Sequence, residues 1–172
     1  MEKELKELKE LNELIVSILK DNDKLVFIAI KQRAKFEGWL KFQLAHKLLE
    51  EDDKVEVERP YPTNGKLHAD IYAKNAFIEL KTPNTNYRYK QCISCNRPVT
   101  KNITSIIEDI NKLRSIEENE KYIAFVIFPI DQNKKKYLEY IQRVEKEGGV
   151  ELFKQTIEIN GNPLSVCTAK VE

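Results

Sequence analysis

The residues best placed to do chemistry lie between Lys66 and Thr82, in KLHADIYAKNAFIELKT. Two apolar-rich runs, Leu67–Ala73 and Ala76–Leu80, flank Lys74-Asn75. Asn tolerates positive φ, so Lys74-Asn75 is expected to form a two-residue hairpin loop. That loop sets a register in which Ala73 faces Ala76, Tyr72 faces Phe77, Ile71 faces Ile78 and Asp70 faces Glu79. Side chains alternate along a strand, so Asp70, Glu79 and Lys81 share one face, with Ala69, Ile71, Ile78 and Leu80 on the other. Opposed like charges about 5 Å apart at Cβ are destabilising, so a fold that keeps them calls for a cation. Two hard oxygen ligands beside an ammonium suit Mg²⁺ and phosphate chemistry.

An acid-X-Lys string alone carries little weight in a chain that is 33% charged. It recurs at Glu4-Lys6, Glu7-Lys9 and Asp52-Lys54, in charge-rich helix or loop sequence where a solvated face is the plain reading. Only Glu79-Leu80-Lys81 sits in an apolar strand with an Asp opposite. The competing reading of the trio is a surface ion-pair cluster.

The surrounding elements must position these groups. Leu5, Leu8, Leu11, Leu14, Ile15 and Ile18 give residues 2–20 an amphipathic helical pattern, read either as packing on its own domain or as a dimer seam. A helical pattern follows over about 24–51, expected to bend near Gly38. Trp39, Leu40, Leu44, Leu48 and Leu49 face the core, and Glu37 and Lys41 lie one turn apart. Lys54–Arg59 reads as a strand, with Glu56 and Glu58 on one face. Residues 84–102 form a polar loop in which Tyr87 and Tyr89 interleave with Arg88, Lys90, Arg97 and Lys101. Such a loop is either a mobile surface segment or suited to phosphate contact and base stacking. Ser105 and Glu108 have capping-box spacing at the start of a helix over Ile103–Ser115. Tyr122–Phe128 is a continuous apolar run typical of a central strand. A helix over Lys134–Glu147, with Tyr137, Leu138, Ile141 and Val144 inward, stops at Gly148-Gly149. Phe153–Ile159 and Leu164–Val171 read as a C-terminal β-hairpin. The fold class is therefore α/β (or α+β): a mixed central sheet flanked by helices, with N-terminal helices and a C-terminal hairpin.

This order resembles the PD-(D/E)XK nuclease superfamily, the restriction-endonuclease-like fold, over roughly residues 30–130. The pattern is a helix bearing a Glu (here Glu37), a strand, a strand ending in Asp70, a strand carrying Glu79-Leu80-Lys81, a helix and a further strand. Ala69 stands where the signature often has Pro. The resemblance implies a Mg²⁺- (or Mn²⁺-) dependent endonuclease acting on DNA. Asp70 and Glu79 would bind the metal with the Leu80 main-chain carbonyl. Lys81 would orient water or stabilise the transition state, and Glu37 would hold a second metal or a water. Glu58 rivals Glu37 as the additional acid. Arg88, Lys90, Arg97 and Lys101 are the candidate DNA contacts. A member of the fold that binds nucleic acid or a partner without cutting is the alternative, and an assembly protein working through its N-terminal helix is a third reading.

Composition bounds these expectations. The chain's 172 residues suit one domain, divided into the helix 1–22, the core 30–130 and the C-terminal helix and hairpin 131–172. At 41% hydrophobic content it is an ordinary globular chain, with no apolar run near the ~20 residues of a membrane helix. Its start lacks an apolar signal region, so a cytoplasmic location is expected. A net charge of +1 supplies no global basic field for nucleic acid. Three cysteines make no disulfide framework; Cys92-Ile93-Ser94-Cys95 is half of a zinc pattern or two ordinary thiols. Cutting both strands of a duplex with one small site per chain would call for a homodimer.

Overall fold

The computed structural model describes residues 2–89, 91–94, 96–117 and 119–172; Lys90 and Cys95, named above, lie outside the described residues. In chain order the elements are α1 (Glu2–Asp21), α2 (Asp23–Gln32), α3 (Glu37–Leu49), β1 (Glu56–Pro60), β2 (His68–Ala73), β3 (Ala76–Lys81), α4 (Val99–Arg114), β4 (Glu120–Ile127), α5 (Lys135–Gly148), β5 (Phe153–Ile159) and β6 (Asn162–Lys170). Among the described residues the protein is thus an α/β fold of five helices and one six-stranded mixed sheet, ordered β1-β2-β3-β4-β6-β5. Only β3 and β4 run parallel, joined through α4. The other neighbours are antiparallel, and β5–β6 is the C-terminal hairpin. No helix among the described residues is long and apolar enough to cross a membrane.

Helices cover both faces of the sheet. Period-2 alternation in β4 divides its side chains: Tyr122, Ala124 and Val126 join the core under α1–α3, and Ile123, Phe125 and Ile127 the core under α4 and α5. The leucine-rich α1 packs on its own sheet, burying Ile15, Val16, Ile18 and Leu19. Asn12, fully buried on that face, donates to the Val166 carbonyl at 3.1 Å and fixes α1 on β6. Leu5 remains exposed.

Local chemistry sets the turns. Lys74 and Asn75 both have positive φ (49° and 62°), giving the expected two-residue hairpin. Asn160-Gly161 does the same between β5 and β6. The long helical pattern over 24–51 breaks at Arg33–Phe36 rather than at Gly38, which is the second residue of α3. Arg33 takes φ 50°, unfavourable for a residue with a Cβ, because tertiary contacts hold it there. Its buried guanidinium donates to the carbonyls of Thr85, Tyr87 and Ile93, and its own carbonyl accepts from Asn84 Nδ2 at 2.7 Å. The segment after β3 is therefore tied down: Asn84 and Thr85 are buried, and Thr85 N–H bonds the Phe128 carbonyl at 2.8 Å. Helix α4 starts at Val99, so Ser105 and Glu108 lie within it and form no capping box, and Lys101 belongs to the helix. Leu49 and Leu138, expected inward, are exposed.

Candidate functional site

The site grows from an irregularity in β2. Its register with β3 runs through Ala73↔Ala76, Tyr72↔Phe77 and Ile71↔Ile78. One rung further, the Leu80 N–H bonds Oδ2 of Asp70 at 2.8 Å, so a carboxylate meets the strand's donor. On the β1 side the position opposite Asp70 is Glu58, with φ 53°. The strand changes face here. Ile71 and Ala73 pack under α1–α3, whereas Ala69 packs with Phe77 in the opposite core. This corrects the expectation that Ala69 shares a face with Ile71. Asp70 is held there between the Leu80 N–H and the Lys41 ammonium, 3.5 Å from its Oδ1.

Glu79 and Lys81 project from β3 two residues apart. Glu79 is buried, and the equally buried Tyr61 hydroxyl donates to its Oε1. Burial drives the Glu79 carboxyl up to about 8, Tyr61 and Lys81 only partly offsetting burial and the repulsion of Asp70 and Asp109. Tyr61 is raised too, by burial and by the Glu79 charge beside it. The Lys81 ammonium lies 2.8 Å from Asp109 Oδ2 in α4, 3.3 Å from Glu37 Oε1 at the start of α3 and 3.2 Å from the Leu80 carbonyl. Burial pulls this ammonium down, but Asp109, Glu37 and Asp70 outweigh it and hold it above the ordinary lysine range. Glu37 is fixed by the end of β3: its Oε2 accepts from Thr82 N–H at 3.2 Å, while Thr82 Oγ1 accepts from Phe36 N–H at 3.1 Å. This reciprocal pair seats the α3 N-terminus on the strand.

Asp70, Glu79, Lys81 and Glu37 are thus gathered around the open end of β2 and β3. Glu58 is exposed and bonded to Lys41, which also lies 3.5 Å from Asp70. That makes Glu58 a partner of the site's edge rather than a member of its interior. Arg88 and Lys101 are exposed, and Arg97 bonds the Gln32 carbonyl at 3.5 Å. Arg97 and Lys101 line a shallow cleft of about 580 Å³ with Thr104 and Tyr140. None of the three contacts the acidic cluster; the lysines that do are Lys41, Lys81 and Lys112, the last 2.6 Å from Asp109 Oδ1. Cys92 is half-buried with its thiol pushed up by burial, and its C-X-X-C partner lies outside the described residues.

Three contributors escaped the sequence reading. Tyr61 follows Pro60 at the end of β1 and gives no motif. Lys112 lies in the last turn of α4, where a cation also suits the helix dipole, and so gives no signal. Asp109 had a signal: it interrupts the apolar stripe of Ile103, Ile106, Ile110 and Leu113, and an acid in such a stripe needs a buried partner.

The donor set fits a divalent cation. Asp70, Glu79 and the Leu80 carbonyl are hard oxygens, and Glu79 is raised first by burial and further by Asp70 and Asp109, so a cation beside it would supply positive charge it lacks. Among the described residues no group of three or more His, Cys, Asp or Glu side chains is arranged to hold a metal ion. No family model matches the chain, nor does any curated protein or solved structure.

Proposed function

We propose that the chain is a Mg²⁺- or Mn²⁺-dependent endonuclease that hydrolyses DNA phosphodiester bonds, built on the restriction-endonuclease-like fold. The observation that carries this reading is the meeting of Asp70, Glu79 and Lys81 at the end of one hairpin, with Glu37 brought in from α3. The order α3-β1-β2-β3-α4-β4, with a parallel β3–β4 crossover, supports it. When bound, the ion would supply water activation and charge neutralisation for in-line attack on phosphorus.

The chain's own residues divide the remaining work. Asp70 and Glu79 offer carboxylate oxygens, and the Leu80 carbonyl faces the same space. Tyr61 fixes the rotamer of Glu79 through its hydrogen bond. Lys81 is buried among these acids, placed to orient water or meet charge developing on the phosphoryl oxygens. Glu37 seats Lys81 against the strand end. Arg88, Lys90, Arg97 and Lys101 are the proposed phosphate contacts, of which Arg97 and Lys101 share the cleft at the start of α4. Cutting both strands of a duplex would use two copies of the chain.

The alternative is a member of this fold that binds nucleic acid or a partner without cutting. It draws on the net charge of +1 and on the absence of contact between Arg88, Arg97 or Lys101 and the acidic cluster. Divalent-metal-dependent cleavage by the purified protein separates the two. Cleavage lost on substituting Asp70 supports the nuclease, and DNA binding with no turnover supports the alternative.

A further inference from the structure

Asp109 is buried, charged and unused in the scheme above. It comes from α4, on the opposite layer from Glu37, and its side chain is 4% exposed. Its two oxygens are divided: Oδ2 lies 2.8 Å from Lys81 Nζ, and Oδ1 accepts from the half-exposed Lys112 at 2.6 Å. Its place in the apolar stripe of α4 fixes its direction, because Ile106, Ile110 and Leu113 on that stripe are fully buried against the sheet. A carboxylate is tolerated there only when paired. Among the described residues Lys81 is the cation that reaches it from the sheet.

We propose that Asp109 is a positioning residue for Lys81. Its carboxylate fixes the ammonium over the Asp70–Glu79 pair, and Lys112 holds that carboxylate in turn. Distance and burial favour Asp109 over Glu37 as the holder, whereas the aligned hydrogen bond of the ammonium goes to Glu37 Oε1 and Asp109 Oδ2 meets it as an ion pair alone. The Asp109 contact is 0.5 Å shorter, from 2.8 Å against 3.3 Å, and its side chain is 4% exposed against 28%. Water therefore screens the Glu37 contact more. A flexible four-carbon side chain gains most from such a holder, since an unfixed lysine spreads over many rotamers. This assignment rests on the nuclease reading for its catalytic consequence. The contact between Asp109 and Lys81 stands apart from that reading.

The test is Asp109→Asn in the full chain, read in two independent ways. The first is cleavage of the DNA substrate on which the wild type is active. A drop in kcat of tenfold or more, with KM and DNA affinity within twofold and the melting temperature kept, supports the positioning role. A kcat within twofold of wild type overturns it. Asp109→Glu, which restores the charge, is expected to recover kcat at least threefold over the Asn variant; equal activity in the two overturns the role. The second readout needs no turnover: the ¹⁵N-ammonium NMR signal of Lys81. It is expected in the wild type under conditions where exposed Lys9 and Lys146 exchange away with water, and it is expected to vanish in Asp109→Asn. If the Asn variant does not fold, the wild-type signal decides, because its absence overturns the proposal. A wild type that shows the signal yet cuts no DNA retains the Asp109–Lys81 contact and removes the nuclease reading.

Discussion

Replacing Glu79 with Gln should make the protein more stable in alkaline solution while abolishing its activity. In the folded chain burial and the neighbouring Asp70 and Asp109 lift the Glu79 carboxyl from the ordinary 4.5 to about 8. In the unfolded chain the group loses its proton near 4.5. Between these two values the folded state binds more protons than the unfolded state, so stability falls as pH rises. Above about 8 both states are ionised and this contribution is flat. At about 1.4 kcal/mol per pH unit the window has a ceiling of about 5 kcal/mol, and structural relaxation brings the expected effect to roughly 2–4 kcal/mol. Gln is neutral and isosteric, and its carbonyl can still accept from Tyr61. Urea denaturation at pH 5, 6.5, 8 and 9 in EDTA measures the difference directly. Wild type and E79Q are expected to agree within about 1 kcal/mol at pH 5, with E79Q ahead by roughly 2–4 kcal/mol at pH 9. Parallel pH curves for the two proteins would refute the reasoning, because Glu79 would then ionise in the folded state as it does in water. Mg²⁺ should narrow the gap at pH 9 by stabilising the wild type alone, by about 2.7 kcal/mol at a hundredfold excess over its dissociation constant.

Further expectations follow from other parts of the molecule. Lys81→Ala should lower cleavage by about 10²–10³-fold, the scale of one charge-stabilising group, with metal binding by calorimetry unchanged; wild-type turnover would show that the lysine takes no part in catalysis. Neutralising Arg97 and Lys101 together should flatten the log–log salt dependence of DNA affinity by about two units, and an unchanged slope would place the DNA surface elsewhere. Arg33→Met should leave the carbonyls of Thr85, Tyr87 and Ile93 without their donor. Calorimetry should show a loss of about 3 kcal/mol, roughly 6–12 °C in Tm, and faster amide exchange across residues 84–94. A change under 2 °C would mean that the guanidinium is replaceable by water.

The parts of this site that were legible in the sequence are those set by local geometry. Lys74-Asn75 dictates a two-residue turn, the turn dictates register, and register brings Asp70 to Glu79-Leu80-Lys81. Parity failed at one rung. Alternation puts Ala69 beside Ile71, but the Asp70 carboxylate replaces a backbone acceptor at Leu80 and Glu58 takes a positive φ, so β2 turns over between them. Neither event is a property of a strand pattern. The break at Arg33 was illegible for a related reason: nothing in a helical periodicity marks an arginine whose guanidinium will be claimed by carbonyls about 50–60 residues away. Glu37 was legible as a face shared with Lys41 and as the helical Glu of the resemblance; its seat on Thr82 depends on how α3 meets the sheet. Asp109 could have been flagged as an acid in an apolar stripe. Tyr61 could not, because the short-range pattern around Pro60 says nothing about a buried carboxylate on β3.

The most direct test of the nuclease reading is a cleavage panel of single-stranded, duplex, flapped and branched DNA incubated with Mg²⁺, Mn²⁺ or EDTA. Wild-type protein should be run beside Asp70→Asn and Lys81→Ala prepared identically. Cleavage of at least one substrate is expected in either metal, absent in EDTA and lost in both variants. No cleavage by the wild type in either metal, or equal cleavage by all three proteins, would contradict it.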